Sequence, residues 1–166
     1  MVKVAWCDQT NSVDELATFF AEQVTPSYIS HSELQLGRAQ TPHEWAPNLK
    51  AIFSNEIAER LAKPQDTHKR IAAAHDGDAL VGLAYVTFEL DAPTPFFVLE
   101  DIVISASRRG SGIGQVMMDW IFTTAKQQGA KRAFLESGKH NHDAHHFFER
   151  NGLRQVSIVM MADLAT

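Results

Sequence analysis

The 166-residue sequence contains a single cysteine, Cys7. One thiol rules out an internal disulfide framework and fits a reducing compartment. Cys7 is expected to be a small residue at a strand end, not a nucleophile. Long apolar runs are also missing, and no stretch approaches the roughly 20 apolar residues that a membrane helix needs. The N-terminus runs from Met1 through Trp6 to Asp8 without the apolar core of a signal peptide. These features predict a cytoplasmic protein with no membrane partner. Positive charge is scarce, with 15 Lys and Arg against 20 Asp and Glu, a net charge of -5 and a pI of about 5.9. That balance argues against a nucleic-acid or anionic-membrane surface and leaves room for an acidic pocket that takes a cation. Internal repeats, linkers and low-complexity tracts are absent.

The remaining composition is ordinary for a globular chain, 45% hydrophobic and 21% charged. The length suits a single domain over 1–166, able to bury roughly 70% of the unfolded chain's surface. Val2 to Trp6 reads as a first strand. Asn11 or Ser12 can cap a helix that carries Leu16, Phe19, Phe20 and Val24 and stops at Pro26. Tyr28 to Gln40 reads as irregular. Thr41, Pro42 and Glu44 form a capping-box pattern that predicts a helix running to Leu61, closed by Pro64. A hairpin follows, with Arg70 to Ala74 and Ala79 to Leu90 around Asp76-Gly77-Asp78. Phe96 to Ser105 reads as a buried central strand. Helices are expected from Ile113 to Gly129 and from Asp143 to Arg150, and strands over Arg132 to Ser137 and Gln155 to Ala162.

Between the central strand and the next helix lies Arg109-Gly110-Ser111-Gly112-Ile113-Gly114. Glycines let backbone amides approach an anion, and a helix N-terminus adds partial positive charge. The loop lacks the lysine of a P-loop, and its glycine spacing is not that of a dinucleotide fingerprint. It resembles the Gln/Arg-x-x-Gly-x-Gly/Ala signature of the GNAT family of N-acetyltransferases. Leu99-Glu100-Asp101-Ile102-Val103-Ile104 resembles that family's central strand. Asn141 to Leu153, with Ala144, Phe147, Phe148 and Gly152, resembles its Asn-x-x-Ala-x-x-Phe-Tyr-x-x-x-Gly-Phe helix.

The resemblance implies an α/β (α+β) fold with a mixed, mostly antiparallel, twisted central sheet of about six or seven strands and helices on both faces. It also implies acetyl-CoA as cosubstrate. Backbone groups of Ile102, Val103 and Ile104 would pair with the pantetheine arm, and the amides of Arg109, Gly110, Ser111, Gly112, Ile113 and Gly114 would hold the pyrophosphate. Asn141, Ala144, Phe147 and Phe148 would complete the cofactor site. Phe147 could equally be a core residue.

Acetyl transfer to an amine requires a neutral amine, a polarised carbonyl and a proton for the leaving thiolate. Glu100 matches the glutamate that takes the amine proton in polyamine-type relatives. Its competing role is that of a salt-bridged structural carboxylate. Because Glu100 and Asp101 are adjacent in a strand, their side chains are expected on opposite faces. Many family members have a tyrosine at the position of Phe148, and phenylalanine has no proton to give. His145, three residues earlier on the helix, is the candidate acid. The histidines at 140, 142, 145 and 146 invite a metal reading, but no further ligand set lies near them in sequence, and no metal is expected. By resemblance, Tyr28, His31, Tyr85 and Glu100 would meet the acceptor, with Glu89 and Asp91 as further candidates. The expected partner is a small, cationic amine. A non-catalytic acyl-CoA-binding module and a protein or peptide acetyltransferase are the alternatives. The apolar run from Val156 to Met161 suits either an inner strand or a homodimer surface.

Overall fold

The structure, a computed structural model, describes residues 1–63 and 66–164 apart from the side chain of Asn11. That side chain and Pro64, expected to cap and to close helices, lie outside the described residues. In chain order the elements are β1 (Val2–Trp6), α1 (Val13–Gln23), α2 (His31–Gln35), β2 (Ala39–Thr41), β3 (Glu44–Trp45), α3 (Leu49–Leu61), β4 (Lys69–Asp76), β5 (Ala79–Glu89), β6 (Phe96–Ile104), α4 (Ile113–Gln127), β7 (Arg132–Leu135) and α5 (His142–Arg150). The chain divides into two compact units, Met1–Val24 with Asn48–Glu136, and Thr25–Pro47 with Ser137–Thr166.

The first unit is built on a five-stranded sheet in the order β1-β4-β5-β6-β7. All its pairs are antiparallel except β6 with β7. The fold is therefore the mixed, mostly antiparallel α+β arrangement expected, although the central sheet has five strands instead of six or seven, β2 and β3 forming a separate pair. β5 is buried continuously from Val81 to Phe88, which requires apolar cover on both faces. On one face Tyr85 meets Phe20 of α1 at 5.3 Å, and Phe20 stacks on Phe53 of α3 at 3.9 Å. All three rings are fully buried, each contributing roughly 1.5–3 kcal/mol by burial. On the other face α4 lies so close that a Cβ at Gly82 would press on the Met117 sulfur and the end of the Ile104 side chain. Glycine at 82 lets both side chains keep these positions. Trp6 packs edge-on against Trp120 of α4 at 4.8 Å on this second face.

The helix stops behave as the sequence predicts. Gly129 and Gly152 both adopt positive φ just past α4 and α5, the conformation that closes a helix at least cost. Ser12 stands at the N-cap of α1, yet its hydroxyl donates to the Gln9 carbonyl instead of capping the helix.

The second unit departs from expectation in three places. Thr41 to Glu44 is not a helix start. Thr41 ends β2, its hydroxyl accepts the His43 amide at 3.2 Å, and Glu44 begins β3. A proline with φ near −65° suits the second position of a turn as well as the first turn of a helix, so the pattern was ambiguous. α3 begins later, at Leu49. The working capping box is Ser30 with Glu33, which opens α2 inside the stretch expected to be irregular. Glu33 accepts from the Ser30 amide at 2.7 Å and pairs with Arg38 at 3.3 Å. Finally, Gln155 to Ala162 is not a strand. It has no regular secondary structure, and Val156, Ile158, Val159, Met160 and Met161 are exposed. Apolar composition favours a strand only where a ladder partner exists, and the described sheets give this segment none.

Candidate functional site

The central feature of the first unit is an irregularity in β6. Tyr85 pairs with Asp101 and Val86 with Leu99, which leaves Glu100 opposite no residue of β5. Glu100 is thus the extra residue of a β-bulge, a device that re-aims a side chain. Tyr85 and Val86 point to opposite faces, and so do the residues paired with them. Asp101 therefore shares the face of Tyr85. Glu100 reaches the same side, where its Oε2 accepts a hydrogen bond from Arg60 of α3, and the Arg60 guanidinium lies 4.5 Å from the centre of the Tyr85 ring. The expectation that Glu100 and Asp101 face opposite ways is overturned, because a bulge breaks the alternation that a regular strand imposes.

Arg60, Tyr85 and Glu100 form one cluster. Tyr85 is wholly buried, Asp101 is buried, and the Glu100 side chain keeps 33% of its surface exposed. Among the described residues, buried Arg60 Nη1 has no hydrogen-bond partner. Nothing in the sequence marks Arg60. A cation in the last turn of a helix is what the helix dipole favours anyway, so it reads as an ordinary terminal residue. Of the other acceptor candidates in this unit, Glu89 lies 3.6 Å from His68 at the end of β5, and Asp91 follows in a turn.

The parallel pairing of β7 with β6 stops at Leu99, while β6 continues to Ile104. Ile102, Val103 and Ile104 therefore keep their β7-side edge unladdered, the kind of edge an extended chain can pair with. Beyond it the chain turns through Ala106–Arg108 into the glycine loop. Gly110 and Gly112 have φ of 78° and 85°, a region that side chains other than glycine rarely occupy. Gly112 is the N-cap of α4. In a helix the first amides, here those of Ile113 and Gly114, have no intrahelical acceptor and point at whatever lies before the N-terminus. The arginines of the loop are occupied locally. Arg108 pairs with Asp76 at 2.8 Å, and Arg109 donates to the Gln23 carbonyl at 2.8 Å. Ser111 Oγ turns back to the Arg108 carbonyl at 2.6 Å. The loop thus offers an anion its backbone, with the arginines fixing its shape. Arg108, assisted by the N-terminal ammonium, holds the Asp76 carboxyl below its ordinary 3.8.

Cys7 is half-buried, and burial, helped by the charges of Asp8 and Glu15, pushes its thiol up to about 11. It is an inert thiol at neutral pH, as its position at the end of β1 suggests.

The second unit holds Tyr28, His31, Asn141, Ala144, His145, Phe147 and Phe148. Tyr28 tilts against Trp45 with ring centres 6.2 Å apart, and His31 opens α2, half-buried. Asn141 is the N-cap of α5. Phe148 is buried, while Ala144 and Phe147 are half-buried. His145 Nε2 lies 2.9 Å from the Gly138 carbonyl. A carbonyl only accepts, so Nε2 carries the proton, and in the neutral ring Nδ1 is left as an acceptor. The bond orients the ring, leaves Nδ1 as its second proton-carrying position, and pins the turn before α5. His43, His140, His142 and His145 form a chain of neighbouring rings 5.8–6.4 Å apart. Among the described residues, no three His, Cys, Asp or Glu come together closely enough to hold a metal ion, and no helix is long and apolar enough to cross a membrane.

A family model identifies the lineage, and solved structures share the fold. A family model described as "Acetyltransferase (GNAT) family" matches residues 34–153. Streptothricin acetyltransferase of Streptomyces lavendulae is 34% identical over 111 residues, which is 64% of this chain and 57% of that protein. Aminoalkylphosphonate N-acetyltransferase of Salmonella typhimurium strain LT2 is 29% identical over 105 residues, 62% of this chain and 66% of that protein. The matched stretch is thus under two thirds of each relative's length. Among solved structures, the aminoglycoside N-acetyltransferase AAC(6')-Iy in complex with CoA shares the fold at a TM-score of 0.71 and 12% identity, covering 98% of this chain and 94% of its own.

Proposed function

Because this chain belongs to the GNAT family of acetyltransferases, we propose that it transfers the acetyl group of acetyl-coenzyme A to a primary amine on a small molecule, by direct attack in a ternary complex. The carrying observation is the state of β6. One strand presents a bulged carboxylate, an edge released by β7, and a lead into left-handed glycines at a helix start. Acetyl-coenzyme A supplies a thioester: the amine nitrogen forms a C–N bond as the C–S bond breaks, one ammonium proton having left beforehand and the second passing to the departing thiolate.

The chain's own residues serve that exchange as follows. Ile102, Val103 and Ile104 pair with an extended amide-bearing arm through their backbone. The amides from Arg109 to Gly114 take up an anionic pyrophosphate. Glu100 accepts the first proton from the acceptor ammonium, leaving the nitrogen lone pair free. Tyr85 supports the cluster from beneath Arg60. For Asn141, Ala144, Phe147 and Phe148, the warrant for cofactor contact is the match of α5 to the family helix, and for Tyr28 and His31 it is the family's acceptor region. Both curated relatives are named for small amine-bearing acceptors, streptothricin and the aminoalkylphosphonates, which supports a small molecule over a protein.

Amine-dependent release of free thiol from acetyl-coenzyme A tests the reading, with Glu100→Gln as the control that should abolish it. Tight acetyl-coenzyme A binding without turnover on any amine would instead favour a non-catalytic module, the reading that Phe148 in place of tyrosine favours. Mass gain on a partner protein, but not on free amines, would identify a protein acetyltransferase. The exposed apolar run from Val156 to Met161 further supports a homodimer, which light scattering would register as twice the chain mass and Ile158→Asp with Met160→Asp would reduce to one.

A further inference from the structure

The least satisfied group beside Glu100 is Arg60. Its guanidinium rests on the Tyr85 ring, Nη2 bonds to Glu100 Oε2, and buried Nη1 has no hydrogen-bond partner among the described residues. The Arg60 side chain is only 12% exposed. A guanidinium is a planar fork that meets a carboxylate or phosphonate through two parallel bonds. Here half of the fork is used, and a buried N–H left unpaired is costly. The carboxylate using the other half sits on a bulge and remains partly exposed, so its displacement is what would open the guanidinium to an incoming oxyanion. A purely structural pair gains nothing from this half-made geometry.

We infer that Arg60 is the anchor for an anionic group carried by the acceptor itself, so that the preferred acceptor is a small zwitterion, an amine with a carboxylate or phosphonate a few bonds away. The inference rests on the acetyltransferase reading given above. The acceptor's oxyanion takes both Nη1 and Nη2, displacing Glu100 from Arg60. The freed Glu100 carboxylate turns to the acceptor's own ammonium and takes its proton. Binding of the anion and release of the base are then one event, and an amine that lacks the anion leaves Glu100 tied to Arg60. This sharpens the sequence-based expectation of a cationic acceptor, since net charge on the amine alone would not satisfy Arg60.

The test uses a matched series, propylamine, β-alanine and 2-aminoethylphosphonate, with spermidine as the pure polycation. In the wild-type protein the two zwitterions are expected to exceed propylamine and spermidine at least tenfold in kcat/KM, and their ratio separates carboxylate from phosphonate as the natural anion. Arg60→Met should erase that preference, lowering kcat/KM for both zwitterions and, by freeing Glu100, raising it for propylamine. Calorimetry with coenzyme A present adds a readout that needs no turnover: β-alanine or 2-aminoethylphosphonate should bind the wild type and not Arg60→Met, and propylamine should bind neither. The proposal is overturned if wild type uses spermidine or propylamine as well as the zwitterions, if neither zwitterion binds, or if Arg60→Met lowers every acceptor by the same factor. Zwitterion binding without turnover would sink the transferase reading while leaving the anchor standing. Should Arg60→Met not fold, the wild-type acceptor ranking and binding decide the matter alone.

Discussion

Two arginine–carboxylate pairs, one in each unit, look alike on paper and differ in how completely they are matched. In Glu33–Arg38 both side chains are almost wholly buried, at 4% and 3% exposure. Glu33 also takes the amide and hydroxyl of Ser30, at 2.7 and 2.6 Å, so its acceptor capacity is met by groups that are all part of the fold. In Arg60–Glu100 the carboxylate is one-third exposed, it occupies a bulge, and one guanidinium nitrogen is left without a partner. A buried pair with every lone pair and proton matched is structural, because nothing is left over to bind a ligand. An incompletely matched pair at an accessible strand irregularity keeps capacity in reserve. On the proposed reading, satisfaction, more than burial or charge, separates a stapling ion pair from a working one.

Replacing one carboxylate in each pair is the sharpest way to break this comparison. Glu100→Gln should lower kcat/KM by about 100-fold or more, the usual worth of a general base, with little change in melting temperature. Glu33→Ala should do the reverse, costing about 3–5 kcal/mol of stability through the uncompensated Arg38. At about 2–4 °C per kcal/mol for a chain of this size, the melting temperature should fall by roughly 6–20 °C, with kcat/KM per folded molecule nearly unchanged. If both variants lose stability equally and neither loses turnover selectively, the distinction fails.

A smaller effect tests the loop. Gly112→Val would force a side chain into φ of 85°, where strain costs about 1–3 kcal/mol. Acetyl-coenzyme A affinity should weaken by about tenfold in calorimetry, and equal binding by wild type and variant would remove the loop from the cofactor site. Smaller again is His145→Ala. Losing the bond to the Gly138 carbonyl should cost about 1 kcal/mol of stability; a lost limb in the pH–rate profile would support the acid role, and an unchanged profile would remove it. Phe148→Tyr then asks whether a hydroxyl at that position matters to rate.

The smallest effects are those of pH. The Cys7 thiol is raised from 9.0 to about 11. The neutral form is therefore favoured by folding, a contribution fully present below pH 9 and lost as pH rises through about 11. Alkylation of Cys7 in the native protein should be slow at pH 8 and speed up on unfolding. Asp76 acts in the opposite sense. Its carboxylate, held below 3.8 by Arg108 and the N-terminus, stabilises the fold above that value and loses its effect as pH falls through the lower folded value. Asp76→Asn should flatten the acid limb of stability.

Much of this was legible before any coordinates. The β4–β5 hairpin, the β6 strand, α4 and α5 with their glycine stops, and the loop from Arg109 to Gly114 all follow from periodicity and from residues with few conformational options. The errors fall where one local pattern fits two geometries. Thr41-Pro42-His43-Glu44 reads as a helix start and folds as a hairpin turn, because proline's φ serves both. Val156 to Met161 reads as a strand, yet strandedness depends on a partner that no single segment encodes. Glu100 stands out in the sequence as a carboxylate in an apolar strand, but its direction does not, since alternation holds only until a register shift interrupts it.

The sequence by itself therefore determined the lineage, the sheet, and the glycine loop that opens α4, because backbone freedom and short-range periodicity are written residue by residue. Only the tertiary structure decided that Glu100 and Asp101 share a face, that Arg60 stands over Tyr85 with one nitrogen unmatched, and that His145 is committed to a carbonyl. Each of these depends on which atoms, far apart in the chain, are left with or without a partner, and hydrogen-bond satisfaction is a property of the packed molecule.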